Sequence, residues 1–219
     1  MIEIFDFAQY SPEWWAIRMG IPTISEFSSI LAKGEGKTRR KYMLQLAGER
    51  ITGEPADNFV TAHMERGRIM EAEAREHYMY DVLDVRPVGF IRRKTALGYV
   101  GGSPDSLVGA DGMLEIKTKL PHLQLDVILQ NRLPPEHVPQ VQGGLWLTGR
   151  KWCDFVSYWP NLPLFRIRVT PDLEYHKQLE VSIDAFNKEL NEIVKSIPPP
   201  NVRTEKRPLQ VPNDFKPID

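Results

Sequence analysis

The feature that most constrains this chain is a change in hydrophobic period just after residue 80. Before it, apolar residues recur at helical steps; after it they recur in short runs separated by glycine turns. Ser11-Pro12-Glu13 carries an N-cap, a first-turn proline and an acid suited to the helix dipole, predicting a short helix through Trp14, Trp15 and Ile17. Thr23-Ile24-Ser25-Glu26 has the capping-box pattern, with Phe27, Ile30 and Leu31 as the apolar stripe behind it. A glycine-bearing loop at 33–37 precedes a helix over 39–51, and a longer charged helix is predicted over about 58–80. Strands are then expected at 85–92, 98–101 and 113–117, a helix at about 135–148, and strands at 152–159 and 164–169. Leu179, Ile183, Phe186, Leu190 and Ile193 repeat at four- and three-residue steps, marking a last long helix entered at Thr170-Pro171-Asp172. Helices, then strands, then helix and strands predict an α/β fold in which helices flank a central mixed β-sheet. Six of the 18 prolines fall within 198–219, so a single domain over 1–197 and an extended proline-rich C-terminal tail are expected.

Composition narrows the function. Lys+Arg 28 against Asp+Glu 29 leaves a net charge of −1, so nucleic-acid binding would require the positive charge to be concentrated locally. One cysteine, Cys153, excludes an internal disulfide framework and fits a reducing compartment. The opening MIEIFDF has no basic, then apolar, signal-peptide pattern, and no stretch supplies the roughly 20 mainly apolar residues of a membrane helix. No membrane association is expected, and a cytoplasmic location is. The histidines His63, His77, His122, His137 and His176 lack metal-ligand spacing, so no zinc is assigned.

The chemistry concentrates in the predicted strands. Ser103-Pro104-Asp105 follows the glycine-rich strand end Gly101-Gly102, and Leu114-Glu115-Ile116-Lys117 follows a further turn. On a strand, Leu114 and Ile116 face one way while Glu115 and Lys117 share the other face. Hairpin-like spacing can bring Asp105 beside that pair. Two carboxylates converging with an ammonium suit a hard divalent cation, and the lysine can orient a water or, with a depressed pKa, deprotonate it. The plain structural alternative is a turn aspartate and a solvated Glu–Lys pair.

Pro104-Asp105 followed by Glu115-Ile116-Lys117 resembles the PD-(D/E)XK nuclease signature. Further blocks resemble one branch of it, the phage lambda exonuclease and YqaJ-type viral recombinase family. They are Trp15 to Ile21 with Thr23-Ile24-Ser25-Glu26, Gly67-Arg68-Ile69-Met70-Glu71, Ser103-Pro104-Asp105, Leu114 to Lys117, and Gln140-Val141-Gln142 before Leu145-Trp146. The resemblance implies a PD-(D/E)XK core and a metal-dependent 5′→3′ double-strand DNA exonuclease that resects linear ends to 3′ single strands for recombination by annealing. Within the same fold, a restriction- or repair-type endonuclease and a catalytically inert DNA-binding scaffold are the alternatives.

The resemblance also implies roles. Asp105, Glu115 and the Ile116 carbonyl would hold Mg²⁺, two ions per site, with Mn²⁺ as a possible substitute. Lys117 would activate the attacking water, Glu71 would point into the site from a helix, and Gln140 would help hold the lysine and the scissile phosphate. Arg18 and Ser25 would hold a terminal 5′-phosphate; as a helix-end charge, Arg18 has a simpler explanation in dipole compensation. Lys33, Lys37, Arg39, Arg40 and Lys41 form the clearest basic run, where three cations at a helix start oppose the macrodipole and suggest contact with the DNA backbone. Met64 occupies the place of a strand-parting wedge, against the alternative of a core methionine. Trp14 and Trp15 read as core packing. The family further implies a homotrimeric ring, a single-strand annealing protein as partner, and a phage or prophage origin in a bacterial host.

Overall fold

In the computed structural model, described over residues 1–32, 36–56 and 62–198 (backbone alone for 62–64), the first helical signal is realised as read. Ser11 Oγ accepts the Trp14 N–H at 3.2 Å and opens α1 (Pro12–Arg18). The capping box does not form. Thr23 makes no side-chain cap; its hydroxyl lies 3.2 Å from Ser25 Oγ, and Glu26 accepts from Ser29 instead. The physical reason is that Thr23 is committed elsewhere. Its N–H donates to the Tyr42 hydroxyl at 3.0 Å, and its backbone bridges Gly101. The chain therefore makes a single 3₁₀ turn, Ile24–Glu26, before the five-residue helix α2 (Phe27–Leu31). Then come α3 (Lys37–Thr52) and α4 (Ala62–Met79).

The strands form two sheets. β1 (Ile2–Phe5), β3 (Phe90–Lys94) and β4 (Tyr99–Gly102) make a small antiparallel sheet in the order β1-β3-β4. β2 (Val85–Arg86), β5 (Ser106–Val108), β6 (Gly112–Thr118), β7 (Trp152–Tyr158) and β8 (Phe165–Val169) make the central sheet in that order. Only β6 and β7 run parallel, so the sheet is mixed. The single strand expected over 85–92 is in fact two strands in different sheets. Pro87 offers no N–H to a ladder, and Gly89 sits so close to the Phe5 and Phe7 backbone that a Cβ there would lie 2.1 Å from a carbonyl oxygen.

Helix α5 (Pro121–Gln130), a 3₁₀ turn Pro135–His137, α6 (Val138–Thr148) and α7 (Leu173–Ser196) are the remaining elements among the described residues. Asp172 caps α7 by accepting from Glu174 and Tyr175 N–H groups. On one face of the central sheet, Phe27, Met43, Leu46, Leu145, Phe186 and Leu190 pack on Met113 and Phe155. On the other, Ala74 and Tyr78 of α4 pack on Leu114, Ile116 and Val156. The strand alternation read at 114–117 is thus realised: Leu114 and Ile116 turn toward α4, leaving Glu115 and Lys117 toward α6. Lys33 and residues 199–219 lie outside the described residues, as does the side chain of Met64. Among the described residues no helix is long and apolar enough to cross a membrane.

Candidate active site

The hairpin of β5 and β6 places Ser106 opposite Leu114, which folds the preceding Asp105 back over the middle of β6. Asp105 Oδ2 accepts the Ile116 N–H at 2.5 Å. Glu115, 1% exposed, has its Oε1 within 2.7 Å of Lys117 Nζ and 2.6 Å of the donating Gln140 Nε2 from α6. Its second oxygen, Oε2, is buried and has no hydrogen-bond partner among the described residues. Glu71 arrives from α4 and is paired with Arg75 one turn on. Arg75 also donates from Nε to Ser106 Oγ at 3.1 Å and from Nη2 to the Asp105 carbonyl at 3.3 Å, tying α4 to the aspartate's loop.

The electrostatics follow from crowding acids where water is scarce. Burial, and then the charges of Glu115 and Glu71, push the Asp105 carboxyl well above its ordinary pKa, with Lys117 and the Ile116 N–H opposing. Burial likewise raises Glu71, against Arg75. For Lys117 burial works downward, but Glu115 and Asp105 outweigh it and the pKa rises. Lys117 thus faces two carboxylates, and their charge favours its ammonium form. An unpartnered buried carboxylate oxygen near a second carboxylate is an oxygen donor pair, which fits a hard divalent cation. Among the described residues no group of three or more His, Cys, Asp or Glu side chains is placed to hold a metal ion by itself. An ion here would complete its coordination with water and phosphate, the habit of Mg²⁺.

A cavity of about 410 Å³ opens beside this cluster, lined by Glu71, Arg75 and Asp105 together with Gln9, Tyr10 and Arg68. A second, of about 670 Å³, is lined by Arg18, Ser25 and Lys41. Arg18 ends α1, and the turn beyond it is pinned to α3: Gly20 N–H donates to Glu49 at 2.7 Å and Arg50 donates to the Gly20 carbonyl at 2.5 Å. The Arg18 guanidinium stacks over Trp14 at 4.2 Å and Trp15 at 5.1 Å. Burial lowers its pKa, opposed by Tyr42 and by the carboxylates of Glu49 and Glu26, which line the same cavity. Ser25 lies in the 3₁₀ turn Ile24–Glu26, too short for an effective macrodipole, so attraction for an anion rests on Arg18 and Lys41, against Glu26 and Glu49 in the same lining.

Residues 13–151 match the YqaJ-like viral recombinase domain. The chain belongs to that family. Among solved structures it is similar to the alkaline exonuclease LHK-Exo from Laribacter hongkongensis, at 33% identity and a TM-score of 0.77 over 84% of this chain and 95% of that one. LHK-Exo in complex with dAMP compares at 34% identity and a TM-score of 0.78 over the same shares. A phage related exonuclease from Haemophilus somnus 129PT is 14% identical with a TM-score of 0.59, covering 80% and 95% of the two chains, a likeness of fold alone. A comparison with curated proteins gave no match. The expected family and its PD-(D/E)XK-type α/β core are thereby borne out.

Within this YqaJ-like domain, the structure brings Asp105, Glu115, Lys117, Glu71 and Gln140 to one place, and Arg18, Ser25 and Lys41 to another. Of the basic run, Arg39 is engaged at home, donating to both carboxylate oxygens of Glu189 at 2.7 and 2.8 Å and lying over Phe186. Lys37 and Arg40 lie on the first turn of α3. Sequence reasoning missed Arg75, Arg68 and Tyr10. Arg75 stands four residues after Glu71, a helical ion-pair spacing that was available as a signal. Tyr10, with φ 69 and its ring against Arg68, had none.

Proposed function

We propose that this chain is a Mg²⁺-dependent exonuclease acting on double-stranded DNA ends in the 5′→3′ direction. The observation that carries the reading is Glu115: buried, held through Oε1 by Lys117 and Gln140, left among the described residues with an unpartnered Oε2, and near enough to Asp105 for the two charges to act on each other. Asp105, Glu115 and the Ile116 carbonyl would hold Mg²⁺, two ions with phosphate and water completing the set and Mn²⁺ as substitute. When bound, the metal supplies neutralising charge and a water of lowered pKa. Lys117 orients the attacking water and donates to the scissile phosphate, while Gln140 keeps Glu115 turned toward the site. Glu71, anchored by Arg75, borders the same cavity.

Hydrolysis leaves a 5′-phosphate on the shortened strand, and this is the group that the Arg18 cleft suits. A terminal monoester carries more charge than an internal diester, and a desolvated guanidinium gains more from it. Two anchors at a fixed separation would give polarity, which a metal site alone does not. Resection would leave 3′ single strands for a single-strand annealing protein in phage-type recombination in a bacterial host's cytoplasm. Lys33, Lys37, Arg40 and Lys41 would contact the backbone, and Met64 would part the strands. A homotrimeric ring would keep the enzyme on DNA despite its near-neutral charge by turning basic residues inward.

The test compares linear and covalently closed circular duplex in Mg²⁺. Linear DNA alone should disappear, and faster with 5′-phosphate than with 5′-hydroxyl ends. Cutting of circles would establish an endonuclease, and inertness on both a scaffold.

A further inference from the structure

We propose that Trp14 is a positioning residue: its indole is the strut that sets the distance between the phosphate cleft and the carboxylate site. This rests on the exonuclease reading above. Trp14 is 5% exposed, yet its N–H does not merely fill the core. Nε1 donates to the Gly89 carbonyl at 3.1 Å and to Ser103 Oγ at 2.9 Å, and Ser103 Oγ donates onward to the same carbonyl at 2.5 Å. Ser103 stands two residues before Asp105. The face of the indole carries the Arg18 guanidinium at 4.2 Å. One rigid side chain therefore touches the cation of the first site and the loop that presents the carboxylate of the second.

The surroundings make the link stiff. Gly89 packs so closely on the Phe7 backbone that a Cβ there would lie 2.1 Å from its carbonyl oxygen, and Ser103 follows Gly102, where a Cβ would lie 2.5 Å from Ile24. Trp15 and Tyr10 surround the indole at ring separations of 4.9 and 5.1 Å. A tryptophan whose only duty was to fill space would need one acceptor for its N–H. Here the N–H closes a three-membered network on the residue leading into Pro104-Asp105. A fixed span between a terminal-phosphate anchor and the hydrolytic site determines where along the strand the cut falls, so slackening the strut should blur product length as well as slow the reaction.

The test uses the full-length protein with Trp14→Phe, which keeps an aromatic ring beneath Arg18 but deletes the N–H, and Ser103→Ala, which removes one hydroxyl from the network. Rates on 5′-phosphorylated and 5′-hydroxyl linear duplex are measured with the size distribution of released products. Wild type should release one product length. Trp14→Phe should keep its KM within about twofold while kcat falls roughly 10- to 100-fold, the scale of misplacing reacting groups by about 1 Å, and should release a mixture of lengths. Ser103→Ala should show the same mixture with a smaller loss of rate. Unchanged product length and kcat in both variants would overturn the strut. A wild type without 5′-phosphate preference would instead overturn the polarity reading on which the strut depends, so the two failures are distinguishable.

Discussion

Lys117→Met removes the ammonium that faces Asp105, Glu115 and Glu71, and its cost should depend on pH. In the wild type, burial and the neighbouring acids already hold the Asp105 carboxyl well above its ordinary pKa, while Lys117 pulls it down. Without Lys117 that pKa climbs further. A carboxyl whose folded pKa exceeds its unfolded value costs nothing at a pH where both states are protonated. The cost grows as pH rises through the unfolded pKa and is complete above the folded one. In the wild type the same cost already sets in at its own raised Asp105 pKa, so the variant's extra penalty opens above that pKa and is smaller in acid than in base. Stripping one partner from a buried pair costs ~3–5 kcal/mol. The Lys117 side chain is 29% exposed and Gln140 still donates to Glu115, which favours the lower end or below, about 2–3 kcal/mol at pH 8. For a domain of this size that is roughly 5–10 °C in Tm. The assay is urea and thermal unfolding in the presence of a chelator at pH 5 and pH 8, comparing variant with wild type. Equal destabilisation at both pH values would refute the reasoning, because it would mean that Lys117 contributes packing rather than charge.

Glu115→Gln should leave duplex binding intact and reduce hydrolysis by ~10²–10⁴-fold, checked by binding and digestion of one labelled duplex. Replacing Mg²⁺ by Ca²⁺ should permit binding and suppress turnover, since Ca²⁺ accepts longer and looser coordination, and the same pair of assays reads it. Arg18→Ala should erase most of the preference for 5′-phosphate ends, a loss on the order of 1–3 kcal/mol in kcat/KM, and Arg18→Lys should restore only part, because a point charge lacks the planar fork. Lys41→Ala should raise KM for DNA, whereas Arg39→Ala should lower Tm and spare KM, since its guanidinium is bound to Glu189 across α3 and α7.

How much was legible in the sequence can be followed residue by residue. Ser11, Asp172 and the Leu179-to-Leu190 stripe signalled their helices because caps and periodicity are local. Alternation placed Glu115 and Lys117 on one face of a strand, and the turn at Gly109-Ala110-Asp111-Gly112 made a hairpin that returns Asp105 to them. Where the local signal competed with a tertiary partner, it lost. Thr23 had a capping-box sequence, but its N–H and backbone were taken by Tyr42 and Gly101, so the α-helix began later. The run 85–92 looked like one strand until Pro87 and Gly89 divided it between two sheets. The short edge strand β1 and helix α5 had too little periodicity to be seen.

What the sequence determined by itself is the kind of chemistry: two carboxylates and a lysine on adjoining strands can be read from alternation and turn spacing alone. What only the tertiary structure decided is which groups meet and in what charge state. Gln140 and Glu71 lie far from Glu115 in the chain and on helices packed against opposite faces of the sheet, so no local pattern could bring them together. Nor could any local pattern fix the protonation of Lys117 or Asp105, because a pKa is set by burial and by the summed field of neighbours that only the folded chain assembles.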